Sequence, residues 1–192
     1  CGNIKSLRNA LNELDIENNL INSPELFERY EKIIIPGVGE YSNAISKIRK
    51  KGFEKEIKKF ALLNKKILGI CVGMQILSEV GHEGGYNKGL ELIEGEVGLI
   101  SNSSNISHVG WNNITIRKES RLFSGIKDNT DFYFVHSYCL NLKNEKEIST
   151  SINFYSKQIT SSIEKENIFG VQFHPEKSHK YGMQLFTNFA NI

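Results

Sequence analysis

A short apolar run followed at once by a glycine-flanked cysteine constrains the fold more than any other feature of this chain. Residues 67–70 are apolar and predict a buried parallel strand, and apolar side chains then recur at helical spacing from Met74 to Val80. Between the two lie residues 69–73, Gly-Ile-Cys-Val-Gly, which have the spacing of a nucleophile elbow with cysteine at its centre. This order is typical of an α/β protein, in which a strand leads through a sharp turn into a helix.

The predicted turn would make the thiol of Cys71 reactive. So sharp a turn holds its central residue in strained backbone geometry, and Gly69 and Gly73 would avoid collisions with the neighbouring strand and helix. The thiol would also lie at the N-terminus of a helix, whose positive end favours the thiolate. Residues 69–73 alone leave open the alternative of a buried, inert cysteine at an ordinary strand-to-helix turn.

Length, charge and cysteine content exclude several classes of protein. The 192 residues are enough to bury a full core, which predicts one domain over residues 1–192. A formal net charge of +2 gives no electrostatic footprint for nucleic acid. Three cysteines are too few, and odd in number, for a disulfide framework, which predicts a reducing, cytoplasmic location. No run approaches the roughly 18 apolar residues of a membrane-spanning helix.

Predicted helices alternate with predicted strands in the first half of the chain, whereas the second half is rich in strands. The helices are predicted at residues 4–13, 41–51, 53–63 and 183–190, and the strands at 20–21, 32–36, 67–70, 95–100, 111–117, 132–135, 149–154, 158–163 and 168–173. Residues 81–89 are glycine-rich and predict a surface loop. The pattern predicts a central mixed sheet with an antiparallel extension. Because a strand normally precedes the first helix of an α/β protein, we expect the domain to lack its first strand in this sequence.

His174 and Glu176 are the candidate partners of a cysteine nucleophile, which needs a base and a group that orients the base. His174 ends the last predicted strand, and Pro175 restricts its backbone to an extended conformation. Glu176, two residues on, projects to the same side if the backbone stays extended. The alternative is a surface turn with a solvated histidine and glutamate. His108 and His136 are assigned no place in the triad, because both could be buried structural histidines.

Two backbone N–H groups are candidates for stabilising the oxyanion that nucleophilic attack would create. One belongs to Val72, directly after the nucleophile. The other belongs to the segment at residues 36–39, Pro-Gly-Val-Gly, where Gly37 and Gly39 permit peptide orientations that other residues resist. A plain strand-to-helix connection is the alternative for this segment.

Six groups of residues resemble the motifs of class I (triad) glutamine amidotransferases, and within that family the glutaminase subunits of imidazole glycerol phosphate synthases. They are Gly2 with Asn3, and residues 36–39, 68–75, 108–112, 132–138 and 170–178. The resemblance implies a flavodoxin-like α/β fold, with a central mostly parallel sheet and helices on both faces. It also implies hydrolysis of L-glutamine to glutamate and ammonia, without a metal or an organic cofactor.

The resemblance implies a role for each matching residue. Cys71 would attack the side-chain amide to give a γ-glutamyl thioester, while His174 moves the protons and Glu176 orients His174. Val38 and Val72 match the oxyanion-hole residues. The positions that match substrate-binding residues are Gly37, Gly39, Gln75, His136, Ser137 and Tyr138, and those that match the partner interface are Trp111, Asn112, Tyr133 and Lys177.

The resemblance also implies a partner, a (β/α)8-barrel cyclase or synthase subunit that forms a heterodimer with this chain. The barrel would receive the ammonia without its meeting bulk solvent and would make imidazole glycerol phosphate in histidine biosynthesis. His179 stands where a small residue is expected, and this form also resembles paralogues that supply ammonia for amidation of a surface-polysaccharide or flagellar sugar. A non-catalytic interaction subunit and a cysteine hydrolase of similar core are further alternatives.

Overall fold

Twelve strands and five α-helices are formed within residues 4–101, 106–155 and 157–192, which the computed structural model describes. The strands are β1 (Lys32–Gly37), β2 (Lys66–Cys71), β3 (Val80–Gly81), β4 (Asn87–Lys88), β5 (Gly95–Leu99), β6 (His108–Asn113), β7 (Thr115–Ile116), β8 (Asp131–His136), β9 (Tyr138–Leu142), β10 (Ile148–Phe154), β11 (Lys157–Lys165) and β12 (Ile168–Val171). The α-helices are α1 (Ile4–Glu13), α2 (Tyr41–Lys50), α3 (Phe53–Leu62), α4 (Val72–Gln75) and α5 (His179–Asn191). Short 3-10 helices span Pro24–Arg29, Arg121–Phe123, Glu145–Glu147 and Pro175–Lys177.

A six-stranded sheet with the strand order β1-β2-β12-β11-β10-β7 forms the centre of the protein. β2 pairs in parallel with both β1 and β12, whereas β11, β10 and β7 extend the sheet by antiparallel pairings. The apolar residues of β2 are buried, as expected for a parallel strand that is covered on both faces. The predicted α/β fold with an antiparallel extension is thereby confirmed.

Two smaller sheets place further residues near the end of β2, where Cys71 lies. One has the strand order β4-β3-β5-β9, and the other is an antiparallel ribbon of β6 and β8. The register of the ribbon places His108 opposite His136, and Trp111 opposite Tyr133. Cross-strand neighbours of this kind lie close enough for their side chains to interact.

The apolar faces of the helices pack onto the strands and onto one another. α1 contacts α5, and α2 contacts α3. Helical spacing places Leu185, Phe186 and Phe189 on the buried side of α5, as the sequence predicts. Beneath the ribbon, the ring of Phe132 stacks on that of Phe173 with 4.1 Å between centroids, and this contact anchors the segment that follows β12.

Two sequence-based predictions need correction. Residues 20–21 form no strand, since none of the pairings within the described sheets includes them. The helix after the elbow ends at Gln75: the N–H groups of Leu77 and Ser78 bond only three residues back, and Ile76 O accepts from the N–H of Leu90 at 2.8 Å rather than from a further helical turn. The segment 81–89 is largely exposed, as predicted for a surface loop; it contains β4, and its end residues Gly81 and Gly89 are buried against Tyr41.

Some predictions fall outside the described residues, namely those for Gly2 and Asn3. The expected strand before the first helix stays a prediction. Within the ranges given above, none of the helices combines the length and the apolar character that crossing a membrane requires.

Candidate active site

Cys71 lies at a strained turn where β2 passes directly into α4. Its backbone has φ 53° and ψ −115°, a conformation that a residue with a side chain adopts only at a cost of about 1–3 kcal/mol. The flanking glycines are required by space: a Cβ on Gly73 would lie 1.8 Å from Ile35 O, and one on Gly69 would lie 2.6 Å from Gly73 O. The predicted strain and the predicted role of these glycines are therefore confirmed. Because α4 has only four residues, its dipole contributes less than the sequence suggested.

The His174 imidazole is held by Glu176 and lines the same cavity as Cys71. Nδ1–H of His174 donates to Glu176 Oε1 at 2.9 Å, and both side chains are 4% exposed. His174 is extended, as Pro175 requires, and the chain then enters the 3-10 helix Pro175–Lys177, which still brings the carboxylate to the ring. The N–H of His174 donates to Tyr133 O at 2.9 Å and fixes this segment against β8.

The electrostatics of the site favour a protonated His174. Burial alone would lower the pKa of the imidazole, but the hydrogen bonds to Cys71 and Glu176, together with their charges, outweigh burial and raise that pKa to about 9. At neutral pH the ring can therefore serve as a general acid beside the sulfur.

A cavity of about 160 Å³ opens above the sulfur of Cys71. It is lined by Val38, Gly39, Cys71, Val72, Gln75, Glu83, Val135, His136, Ser137, Tyr138, His174 and Lys177. Of the positions predicted to bind substrate or the oxyanion, only Gly37 lies outside this lining. A Cβ on Gly37 would lie 2.5 Å from Gly73 N, so this glycine lets β1 pack closely against the elbow. Among the residues described, no cluster of three or more His, Cys, Asp or Glu side chains is arranged to hold a metal ion.

His136 borders the cavity, but its ring nitrogens are both bonded within the protein. Nδ1 lies 2.9 Å from Tyr138 O, and Nε2 lies 3.1 Å from His108 Nδ1. Burial lowers the pKa of His136 to about 4, so the ring is neutral. The arrangement is that of a structural histidine, the alternative that the sequence left open.

Glu83 is a cavity residue that the sequence interpretation missed. Its carboxylate accepts from the N–H of Tyr41, the first residue of α2, at 2.8 Å, and burial raises the pKa of this carboxyl. A carboxylate that lines a small cavity favours a cationic group of a ligand. The sequence signal was present, since Glu83 is an acidic residue close after the elbow, but its segment was interpreted as a surface loop.

The predicted partner-facing residues form an exposed aromatic group beside the cavity. Trp111 is 49% exposed and stacks on the ring of His179, with centroids 5.0 Å apart and planes within 5°. Trp111 also contacts Tyr133 edge-on at 5.9 Å, and the Lys177 ammonium lies 5.4 Å from the centre of the Tyr133 ring. Asn112 differs, because its amide points inward to His108 Nε2 at 3.4 Å and to a backbone carbonyl.

Comparison with known proteins adds evidence from whole sequences. The family model "Glutamine amidotransferase class-I" matches residues 1–192. "Imidazole glycerol phosphate synthase subunit HisH 1" of Campylobacter jejuni subsp. jejuni is 39% identical over 194 residues, covering 100% of this chain and 96% of that relative. "Imidazole glycerol phosphate synthase subunit HisH" of Pelagibacter ubique is 38% identical over 199 residues, covering 100% of this chain and 95% of the relative.

Solved structures agree on the fold. A structure described as "Crystal structure of glutamine amidotransferase" matches with a TM-score of 0.75 and 19% identity, covering 100% of this chain and 95% of its own. The "Structure of PurLQS from Thermotoga maritima" matches with a TM-score of 0.76 and 19% identity, covering 97% of this chain and 91% of its own. At these identities the likeness concerns the fold alone.

Proposed function

This chain belongs to the class-I glutamine amidotransferase family, and we propose that it hydrolyses L-glutamine to glutamate and ammonia at Cys71. The observation that carries the proposal is the joining of three groups from distant parts of the chain. The strained Cys71 and the imidazole of His174 line the same cavity, and Glu176 Oε1 accepts from His174 Nδ1–H at 2.9 Å. The three groups lie beside a cavity with polar residues in its wall. This is the arrangement that a nucleophile, a general acid–base and an orienting carboxylate need.

The proposed reaction forms and then hydrolyses a thioester. The thiol proton of Cys71 passes to His174, and the resulting thiolate sulfur bonds to the side-chain amide carbon of glutamine, so that the carbonyl oxygen becomes an oxyanion. Protonated His174 gives its proton to the amide nitrogen as the C–N bond breaks and ammonia leaves. His174 then takes a proton from water, whose oxygen attacks the thioester carbon. The C–S bond breaks, glutamate leaves, and the proton on His174 is again shared with the sulfur.

The oxyanion would be stabilised by the N–H groups of Val72 and Val38. Val72 is the first residue of α4 and follows the nucleophile directly. Val38 precedes Gly39, whose φ of +94° lies in the region that glycine adopts without strain. The N–H of Val38 belongs to the neighbouring peptide between Gly37 and Val38, and a rotation of that peptide would turn this N–H toward or away from the cavity. We therefore expect weak glutaminase activity in the isolated chain and a rise when the partner and its acceptor bind.

Two side chains suit the amino-acid end of glutamine. Gln75 Oε1 is buried and has no hydrogen-bond partner among the described residues, so an N–H of the substrate would satisfy it. The Glu83 carboxylate would pair with the α-ammonium group. Ser137 and Tyr138 complete this part of the wall, while Gly39 lies at the predicted oxyanion side.

For the fate of the ammonia we propose imidazole glycerol phosphate formation in histidine biosynthesis, on the basis of the relatives' names. A (β/α)8-barrel synthase subunit would dock on the exposed group of Trp111, Tyr133 and Lys177, with Asn112 behind it. A sugar acceptor remains the second candidate, because His179, which departs from the histidine-pathway pattern, stacks on Trp111 at this surface. The expected cytoplasmic location also stays a prediction.

A labelling experiment tests the glutaminase chemistry. With its barrel partner present, the chain is treated with a glutamine-mimicking electrophile, and the labelled peptide is identified by mass spectrometry. We expect the label on Cys71, and a loss of ammonia release of roughly a thousandfold or more in Cys71→Ala. Cys139→Ala is the matched control, since that cysteine is buried in β9. Ammonia release by Cys71→Ala at the unmodified rate would refute the proposal.

A genetic experiment tests the acceptor. Deletion of the gene should cause histidine auxotrophy if the ammonia serves imidazole glycerol phosphate formation. Normal growth without histidine, together with an altered glycan, would instead favour the sugar acceptor.

A further inference from the structure

We propose that Gln172 is a positioning residue for the sulfur of Cys71, and that the backbone carbonyl of Tyr138, acting through Gln75, sets its orientation. The inference rests on the proposed function, in which Cys71 is the nucleophile. Gln172 lies between β12 and His174, and its side chain is fully buried. Its Nε2 lies 3.7 Å from Cys71 Sγ, within hydrogen-bond range for sulfur. None of the predicted roles includes this residue.

The protonation of the two neighbouring histidines follows from Tyr138 O, which can act only as a hydrogen-bond acceptor. Tyr138 O can only accept, so Nδ1 of His136, at 2.9 Å, must carry a proton. The ring is neutral, which leaves its Nε2 to accept, so Nδ1–H of His108 donates to it at 3.1 Å. His108 Nε2 in turn accepts from the Asn112 amide at 3.4 Å. Burial lowers the pKa of both rings, which agrees with two neutral histidines.

The same carbonyl also determines how the two glutamine amides are turned. The Gln75 atom that lies 2.9 Å from Tyr138 O must be the donating Nε2. Its second hydrogen points to Gln172 at 3.0 Å, so the Gln172 atom that faces Gln75 must be the accepting Oε1. The remaining amide nitrogen of Gln172 then faces Cys71. A flipped Gln172 would place two NH₂ groups against each other in a buried site, which would leave both donors unsatisfied.

An N–H aimed at the sulfur favours the states in which the sulfur carries negative charge. Those states arise when the thiol gives up its proton and again when the thioester breaks. Gln172 and His174 are two positions apart in the chain: Gln172 Nε2 contacts the sulfur, and His174 lines the same cavity as Cys71. On the other side, Val135 O lies 3.9 Å from Sγ and accepts from the thiol. The donor from Gln172 therefore holds the sulfur in place without touching the substrate.

The variant Gln172→Glu tests the amide nitrogen that faces Cys71 separately from the oxygen that faces Gln75. It keeps the length and an oxygen for the Gln75 donor, but it puts a second oxygen where the N–H faced the sulfur. In the complex with the barrel partner, we expect the alkylation rate of Cys71 by iodoacetamide to fall about tenfold or more. The kcat for glutamine should fall with it, while KM changes little. Gln184→Glu, on the solvent side of α5, is the matched control.

Nitrogen NMR of the unsubstituted protein is a second measurement that does not depend on how a variant folds. The side-chain NH₂ hydrogens of Gln172 should show nuclear Overhauser contacts to the β-hydrogens of Cys71. Contacts of those hydrogens to the side-chain amide of Gln75 instead would overturn the proposed orientation. An unchanged alkylation rate in a folded Gln172→Glu would overturn the proposal while leaving the glutaminase function intact. Failure of the unsubstituted Cys71 to react with a glutamine-mimicking electrophile would instead count against the proposed function.

Discussion

Two parts of the cavity wall differ in how deeply their residues are buried and how firmly they are held. On one side, Cys71 and His174 are 4% and 3% exposed, and each is held by hydrogen bonds to other buried groups. On the other side, Val38 is 42% exposed, and Gly39 has a φ of +94°. Apart from its chain neighbours, no heavy atom of the described residues lies within 4 Å of where a Cβ on Gly39 would be. The groups proposed to make the thioester are therefore in place in the lone chain, whereas the predicted oxyanion segment has room to change.

Alanine substitution of one glycine on each side of the cavity, Gly73 and Gly39, tests this difference in packing most strongly. Gly73→Ala would put a Cβ 1.8 Å from Ile35 O, so we expect loss of the folded state or destabilisation of several kcal/mol. Gly39→Ala meets open space and should cost only about 1–2 kcal/mol for its positive φ. Urea denaturation followed by circular dichroism measures both. Equal destabilisation by the two substitutions would contradict the contrast between a packed side and an open side.

Glu176→Gln tests how the packed side is held. Without the carboxylate charge, we expect kcat to fall roughly a hundredfold or more, since the imidazole loses the group that orients it and stabilises its positive charge. Glu96→Gln is the matched control, because Glu96 pairs with His82 in an exposed position.

Glu176→Gln should also change how the free energy of unfolding depends on pH. The pKa of His174 is raised in the folded state to about 9, so its stabilising effect is complete below the ordinary value of 6.5 and is lost as pH rises through 9. The free energy of unfolding should therefore fall over this range, and the fall should be smaller in Glu176→Gln. Denaturation curves recorded between pH 6 and about 9.5 would show it. Parallel pH dependences in the two proteins would mean that Glu176 does not hold the charge of His174.

A smaller effect is expected at the exposed aromatic surface. Trp111→Ala should weaken binding of the barrel partner by roughly tenfold or more, because a half-exposed tryptophan is a typical interface anchor. His179→Ala removes only the stacked ring behind it and should weaken binding a few-fold. Calorimetric titration with the partner gives both values. An unchanged affinity in Trp111→Ala would place the partner elsewhere.

The geometry of the proposed catalytic centre was predictable from sequence because local constraints define it. Gly69 and Gly73 are forced by the close approach of three backbone segments, and the extended backbone of His174 follows from the proline after it. These constraints act within a few residues, so their spacing is visible in the sequence. The β2 strand was equally clear, since it is buried on both faces.

The other features of the site depend on contacts between segments that are distant in the chain, which no local sequence pattern encodes. Glu83 joins the cavity because its carboxylate reaches the N–H of Tyr41, 42 positions away in the chain. At the end of α4, the N–H of Leu90 takes a carbonyl that a longer helix would need. Gln172 became visible only when its partners Gln75 and Cys71 were known.

One measurement compares the two sides of the cavity directly, with and without the barrel partner. The rate at which iodoacetamide alkylates Cys71 reports on the packed side, and the rate of glutamine hydrolysis reports on both. We predict nearly equal alkylation rates in the two states, together with a glutaminase rate that rises at least tenfold when the partner and its acceptor bind. Full glutaminase activity in the isolated chain would contradict the account.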